Sequence, residues 1–229
     1  MIYRRIQRVL PAFLRRHLLH FEFAAEQAVR DLAGALPTAA RVLDAGAGEG
    51  AYRNHFTRQR YTGLDLGIGD ANWNYRDLDV IGDLAALPFP DGTFDACLNV
   101  VTLEHVREPA RVLREIARTL APGGRLLLVI PQDWEVHQAP HDYFRYTRFG
   151  CAWLLDQAGF VGVEIHPVGG YFRLLSRRLL NGLQFFPGIL FPIAALFLAP
   201  PALAAPWFDR LDRRRDFTLG YTCTAYKRS

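Results

Sequence analysis

Two stretches of the chain concentrate residues that could do chemistry. In residues 41–50 a short apolar run (Val42, Leu43) ends in Asp44, and glycines then alternate at Gly46, Gly48 and Gly50. Alternating glycines after a strand let the backbone turn sharply and bring its N–H groups against a ligand, where a Cβ would clash. The spacing is G-x-G-x-G, not the dinucleotide fingerprint, and no Gly-Lys-Ser/Thr follows to hold a triphosphate. An acid just before the glycines repels a pyrophosphate, so a cationic or neutral ligand suits the loop better. Structural glycine punctuation is the plain alternative. The second stretch, residues 131–147, holds His137, His141, Asp142, Tyr143, Arg145 and Tyr146. It follows an apolar strand, and open α/β sheets place their sites at the C-terminal ends of strands. Between the two lies Asp65, about twenty residues after the first glycine, where a Rossmann-like unit sets an acid to accept from ribose hydroxyls. A surface Asp at a strand end is the competing reading.

The elements that must position these groups are legible from the pattern. A strand at 41–45 leads through the glycine loop into a helix expected from about residue 49 to 58, then a strand at 61–66. Residues 67–82 are irregular, and within them Trp73 and Tyr75 are either buried plugs or ligand-facing rings. The turn Pro90-Asp91-Gly92 opens a buried strand over 94–101. Leu103-Glu104-His105-Val106 follows, a site segment or a helix-start network, then a helix from Pro109 to about Leu120 stopped by Pro122-Gly123-Gly124. A strand at 125–130, a helix at 148–158 and strands at 159–165 and 218–226 complete the pattern. Residues 1–35 read as helix, with Ile2, Ile6, Val9, Leu10, Phe13 and Leu14 as an apolar stripe beside arginines and Pro11 dividing it. That segment either caps the domain or lies on anionic lipid.

Charge and hydropathy set further bounds. The chain has 229 residues, half of them hydrophobic, and a net charge of +4. Its arginines crowd the first sixteen residues and the 173–178 and 210–215 regions, which points to an acidic surface as partner. From Leu179 to Phe208 no side chain is charged, and Pro187, Pro192, Pro200, Pro201 and Pro206 interrupt the run. We read this as a hairpin cut into short pieces by its prolines, dipping into one leaflet with arginines at the headgroups. A buried lid or dimer interface, and a single span, are the alternatives. Three dispersed cysteines without metal-ligand spacing indicate a reducing cytosol, and no metal site is expected. No signal peptide is expected either. The basic residues bracket an apolar run and form no stripe interleaved with stacking aromatics, which argues against nucleic acid.

The succession VLDAGAGEG, YTGLD, GDLAALPFPDGTFD, LEHV, EIARTLAPGGRLLLVIP and LLDQAGF, over about residues 40–165, resembles the class I S-adenosylmethionine-dependent methyltransferases. The resemblance implies an α/β fold: a Rossmann-like, seven-stranded, mostly parallel sheet with helices on both faces, here with an apolar helical insert before the last strand. It divides the chain into 1–36, a catalytic domain of 37–166 with 216–229, and the insert 167–215. It implies S-adenosyl-L-methionine as cofactor. Asp44, Gly46 and Gly48 would line its methionine end, Asp65 would hold the ribose, Asp83 would accept from the adenine amine with Leu84 beside the ring, and Asn99 would sit near the methionine and the substrate mouth. For the acceptor, His141 is the first candidate base, with Asp142 orienting it or acting in its place, then His137, while His105 faces the acceptor. Tyr143, Arg145 and Tyr146 would bind substrate. HxxPHDYFRYT resembles enzymes of bacterial cell-surface glycan and lipid pathways. The expected activity is methylation of a hydroxyl on a lipid-linked or glycan acceptor at the cytosolic, inner face of the membrane. The rivals are a methyltransferase of an isoprenoid quinone or other small hydrophobic molecule, and a scaffold protein that keeps the cofactor fold without chemistry.

Overall fold

The computed structural model describes residues 16–69 and 72–229. The amphipathic stripe expected over residues 2–14 lies outside the described residues. The chain forms two compact units: 25–166 with 221–229, and 167–220 with the described residues up to Ala24. The helix α1 (His20–Ala35) contributes its first residues to the smaller unit and the rest to the larger. Phe21, Ala25, Val29 and Ala33, each four residues from the next, are its buried face.

The larger unit is built on strands β1 (Arg41–Ala45), β2 (Arg60–Asp65), β3 (Val80–Ile81), β4 (Phe94–Val100), β5 (Leu120–Pro131), β6 (Phe160–Val168) and β7 (Gly220–Lys227). They form one seven-stranded sheet in the order β3-β2-β1-β4-β5-β7-β6. The pairs β1–β2, β1–β4, β2–β3 and β4–β5 are parallel. Strands β1, β4 and β5 run apolar without alternation because the centre of a parallel sheet is covered on both faces, and Leu43, Cys97, Leu126 and Leu128 are accordingly buried. Helix α2 (Pro109–Thr119) starts with proline at its first position and buries Val112, Leu113 and Ile116. Helix α3 (Arg148–Gln157) is capped by the Thr147 side chain, which accepts from the Gly150 N–H. The strand order reverses between β1 and β4, and that switch point is where the glycine loop and the 101–105 segment emerge.

Two expectations are corrected here. The helix expected after the glycine loop is a series of turns with one 3-10 turn, Arg53–His55. Its backbone closes three-residue bonds, Arg53 N–H to Gly50, His55 to Tyr52 and Phe56 to Arg53, and the left-handed Gly50 prevents an α-helical register from starting earlier. Helix α2 ends at Thr119, near the expected boundary, but Pro122-Gly123-Gly124 is not its stop: the segment lies inside β5, which already begins at Leu120 and pairs it with Phe94 before a bulge and a second pairing of Arg125 with Ala96.

The smaller unit contains α4 (Tyr171–Gly182) packed against α5 (Leu190–Ala204), followed by a 3-10 stretch, Ala205–Leu211. The prolines do not cut this region into short pieces as expected. Pro192 lies in the first turn of α5, where an amide N–H would have no intrahelical partner, and Pro200 and Pro201 are accommodated within the helix. Ser176 donates to the Ala202 carbonyl at 2.6 Å, which ties α4 to that proline-bearing turn. Among the described residues one helical stretch, Leu190–Leu211, is long and apolar enough to cross a membrane, and most of its apolar part is not buried.

Candidate active site

Asp44 is the second-to-last residue of β1 and is buried. The Tyr61 hydroxyl, from the adjacent strand, donates to its carboxylate at 2.5 Å. Burial drives the Asp44 carboxyl up to about 7, with the Tyr61 hydrogen bond opposing and the neighbouring Asp65 adding to the rise. A buried carboxylate poised there gains most from a cation placed beside it. Tyr61 was not among the residues singled out from sequence. The signal was present, since a tyrosine opening the strand beside β1 can carry its hydroxyl across to the carboxylate.

The chain then turns at Gly46 (φ 90°) and Gly48 (φ 55°). A Cβ at Gly46 would lie 2.2 Å from the Thr102 methyl, so both the conformation and the space demand glycine. The Gly46 and Ala47 amides donate to the Leu64 carbonyl at 2.8 and 3.0 Å. Asp65 closes the loop, accepting from Gly48 N–H at 2.9 Å and from Gly67 N–H at 2.8 Å. One bond to each carboxylate oxygen leaves acceptor capacity for hydroxyls. Trp73 packs on the loop, its ring 3.1 Å from where a Gly48 Cβ would stand, and the Tyr75 hydroxyl accepts from Gly69 N–H at 2.7 Å. Asp83 caps the short turn Leu84–Ala86, taking the Ala85 N–H at 2.8 Å, and Leu84 is buried. Asn99 lies against the glycine loop but is sealed from solvent. It donates to the Ala45 carbonyl at 2.7 Å, so it sets the loop's position and does not line a substrate mouth as expected.

The other side of the switch point is built from two segments. After β4 the backbone passes through Val101 at φ 52°, a costly conformation for a β-branched residue, before the short turn Leu103–His105. Glu104 in that turn is completely buried, and neither carboxylate oxygen has a hydrogen-bond partner among the described residues. His105 Nε2 and His137 Nε2 lie 3.0 Å apart, and each is 3.7 Å from the same Glu104 oxygen. The second nitrogens face backbone carbonyls: His105 Nδ1 is 2.6 Å from the His141 oxygen, and His137 Nδ1 is 3.1 Å from the Glu135 oxygen. Burial works to lower the His137 pKa, but Glu104, the Glu135 carbonyl and Asp142 outweigh it and hold the imidazole above its usual value.

The roles expected for the 141–146 residues are corrected by this arrangement. Asp142 does not face the His141 side chain. It is clamped by Arg145 at 2.6 and 2.8 Å and takes the His137 N–H at 2.9 Å. The Arg145 guanidinium holds the Asp142 carboxyl at a pKa of about 2, too weakly basic to accept a proton from a hydroxyl near neutrality. His141 presents Nδ1 to the Tyr143 hydroxyl at 3.1 Å and touches the cluster only through its carbonyl. Arg145 is not free to grip a substrate. Its five N–H groups are spent on Asp142 twice and on the carbonyls of Trp134, Glu135 and Phe144. Tyr146 is core: its hydroxyl donates to the Leu103 carbonyl at 2.9 Å, and burial raises its pKa. Tyr143 remains partly exposed, with its hydroxyl accepting from Arg107 at 3.2 Å. Of the proposed acceptor-side residues, His105 and His137 therefore converge, and Glu104 joins them.

Comparison with known proteins bears on this geometry. Residues 43–128 match a family model described as a methyltransferase domain. A demethylmenaquinone methyltransferase from Renibacterium salmoninarum is 38% identical over 106 residues, 44% of this chain and 44% of that protein. A fatty-acid O-methyltransferase from Mycolicibacterium smegmatis is 39% identical over 97 residues, 38% of this chain and 35% of that protein. The matched region thus spans less than half the length of these relatives. The crystal structure of Burkholderia thailandensis 1,6-didemethyltoxoflavin-N1-methyltransferase with bound 1,6-didemethyltoxoflavin and S-adenosylhomocysteine shares the fold, with TM-score 0.59 and 21% identity over 100% of this chain and 90% of that one. The glycine loop and the switch point both fall within the matched region, over which the chain is similar to methyltransferase domains.

Proposed function

We propose that the protein transfers the methyl group of S-adenosylmethionine to a hydroxyl of a lipid-linked or glycan-type acceptor at the cytosolic face of a membrane. The observation that carries this reading is the exposed apolar surface of the smaller unit. Phe185, Ile189, Leu196, Phe197 and Trp207 are each at least 70% exposed. Large contiguous apolar surface is costly in water and marks a membrane or partner contact. The arginines at 173–178 and 210–215 stand on either side of it in sequence, which suits an anionic headgroup layer.

The chemistry asks little of the enzyme beyond alignment and proton removal. The acceptor oxygen uses a lone pair to bond the methyl carbon as the carbon–sulfur bond breaks. That bond's electron pair returns to sulfur and neutralises the sulfonium. Asp44 would face the ammonium of the cofactor and Asp65 its ribose, while the cluster of Glu104, His105 and His137 would receive the acceptor hydroxyl. The demethylmenaquinone relative supports a second reading, methylation of a quinone-type ring, for which the same apolar surface would serve.

Flotation with anionic phospholipid vesicles tests the membrane half. Wild type should float, and a Leu196→Glu/Phe197→Glu double variant that still binds S-adenosylmethionine should stay in the dense fraction. Equal flotation of both, or of neither, would reject membrane docking through this surface.

A further inference from the structure

We propose that Glu104, His105 and His137 form a binding site for a divalent metal ion of the zinc type, a deepening that rests on the methyltransferase reading above. Two imidazole nitrogens and one carboxylate oxygen, each able to offer a lone pair, converge on one point. With each Nδ1 directed at a backbone carbonyl, each imidazole in its neutral form carries the proton on Nδ1 and a bare lone pair on Nε2. The two lone pairs then meet at 3.0 Å, with a wholly buried carboxylate oxygen 3.7 Å from both. Facing acceptors repel, and a buried carboxylate whose oxygens make no contact within hydrogen-bond distance is expensive. A single added proton can bridge only one of the three contacts, whereas a cation at the centre satisfies all of them.

The dimensions agree. A triangle with sides of 3.0, 3.7 and 3.7 Å has its centre about 2.0 Å from each corner, and zinc–imidazole and zinc–carboxylate bonds are about 2.0–2.2 Å. An ion slightly out of the plane of the three atoms therefore reaches all of them at normal bond length. Two of the three edges exceed the roughly 3 Å edge of an octahedral face, which favours a four-coordinate ion over a magnesium-like one. The ligands are two histidines and one carboxylate, and the three leave a fourth position open. The carbonyls of His141 and Glu135 supply the outer bonds that orient each ring. His137 is further located by its backbone bond to Asp142, which Arg145 holds, so the loop's five-donor arginine has a purpose in fixing one ligand.

In the fourth position an acceptor hydroxyl would bind through oxygen and release its proton to solvent water. The resulting alkoxide oxygen would form the new bond to the methyl carbon, and the departing sulfur would keep the carbon–sulfur pair.

The test uses the untagged full-length protein, stripped with chelator, dialysed against zinc and desalted. Metal content by elemental mass spectrometry should approach one zinc per chain. Cobalt substitution should give the intense visible absorption of a four-coordinate site. Glu104→Gln and His137→Ala should each weaken zinc binding at least tenfold, while His166→Ala, an exposed histidine on β6, should not. Circular dichroism and S-adenosylmethionine binding identify any variant that has simply failed to fold; should both fail, His105→Gln is the third probe. Wild type without zinc above background, or binding indifferent to these ligand substitutions, overturns the proposal. Metal-free protein that still methylates would remove the metal alone, and metal-bound protein that transfers no methyl group would remove the function alone.

Discussion

Replacing Asp44 with Asn should make the protein more stable above neutral pH and its cofactor binding worse, with a characteristic pH dependence. The folded carboxyl titrates near 7 instead of 3.8, chiefly through burial, with Tyr61 and Arg53 opposing and Asp65 contributing. The native state therefore keeps a proton that the unfolded chain has released, and wild-type stability falls as pH rises from about 4 to 7. A shift from 3.8 to about 7 corresponds to about 4 kcal/mol lost by pH 8, and well under half of that by pH 5. Asn can still accept from Tyr61, but its amide hydrogens need partners, which costs about 1–3 kcal/mol at every pH. That constant cancels when the difference between the two proteins is compared at two pH values. The stability of Asp44→Asn relative to wild type should rise by about 2–3 kcal/mol between pH 5 and pH 8. Urea unfolding of the apo forms at the two pH values measures it. Over the same range wild-type affinity for S-adenosylmethionine should increase as the carboxylate forms, and the variant's should not. A stability difference that is flat with pH would refute the reasoning, because it would mean that Asp44 is ionised without penalty.

Three further substitutions test other parts of the account. Gly46→Ala would place a methyl 2.2 Å from Thr102 in a left-handed backbone, so calorimetry should show a loss of about 3 kcal/mol or more and titration should show no cofactor binding. Tyr146→Phe removes the bond to the Leu103 carbonyl and should cost about 1–2 kcal/mol while leaving KM for the acceptor unchanged; a large KM effect would return Tyr146 to the substrate pocket. Asp209→Ala removes a buried carboxylate that binds Arg173, Arg215 and the Gly170 N–H within the smaller unit. Both guanidinium groups are partly exposed and Arg173 keeps its bonds to the Arg16 and His17 carbonyls, so the loss should be about 2–3 kcal/mol in thermal or urea unfolding, and a change below about 1 kcal/mol would show that the carboxylate is solvated.

The sequence was most informative where backbone demands and residue type coincide. Glycines at 46 and 48, the acid ahead of them and the unbroken apolar strands leave few alternatives, and the sheet has the seven strands expected. It was least informative about side-chain commitments. Arg145 and Tyr146 have the chemistry of substrate binders, and only the folded loop reveals that neighbouring carbonyls and Asp142 consume them. Asp142 follows His141 directly, yet Arg145 three residues later turns it toward His137. Glu104 sits in a motif that reads equally as a turn signal, and its meeting with His137 depends on two loops leaving adjacent strands. The absence of metal-ligand spacing along the chain says nothing about ligands gathered from two such loops. In α5, proline positions suggested breaks, but a proline in the first turn costs a helix little.

The most direct test of the central claim is to supply S-adenosylmethionine carrying a carbon-13 methyl group to the protein with a membrane extract of the source cell, and to record the carbon spectrum of the organic-soluble product. The account predicts a new methoxyl signal that requires both the protein and the membrane fraction and is lost in Asp65→Ala. A ring-methyl signal would replace the hydroxyl acceptor with the quinone reading. No labelled product, from protein that binds the cofactor and with metal present, would contradict the proposal that this chain methylates membrane-associated acceptors.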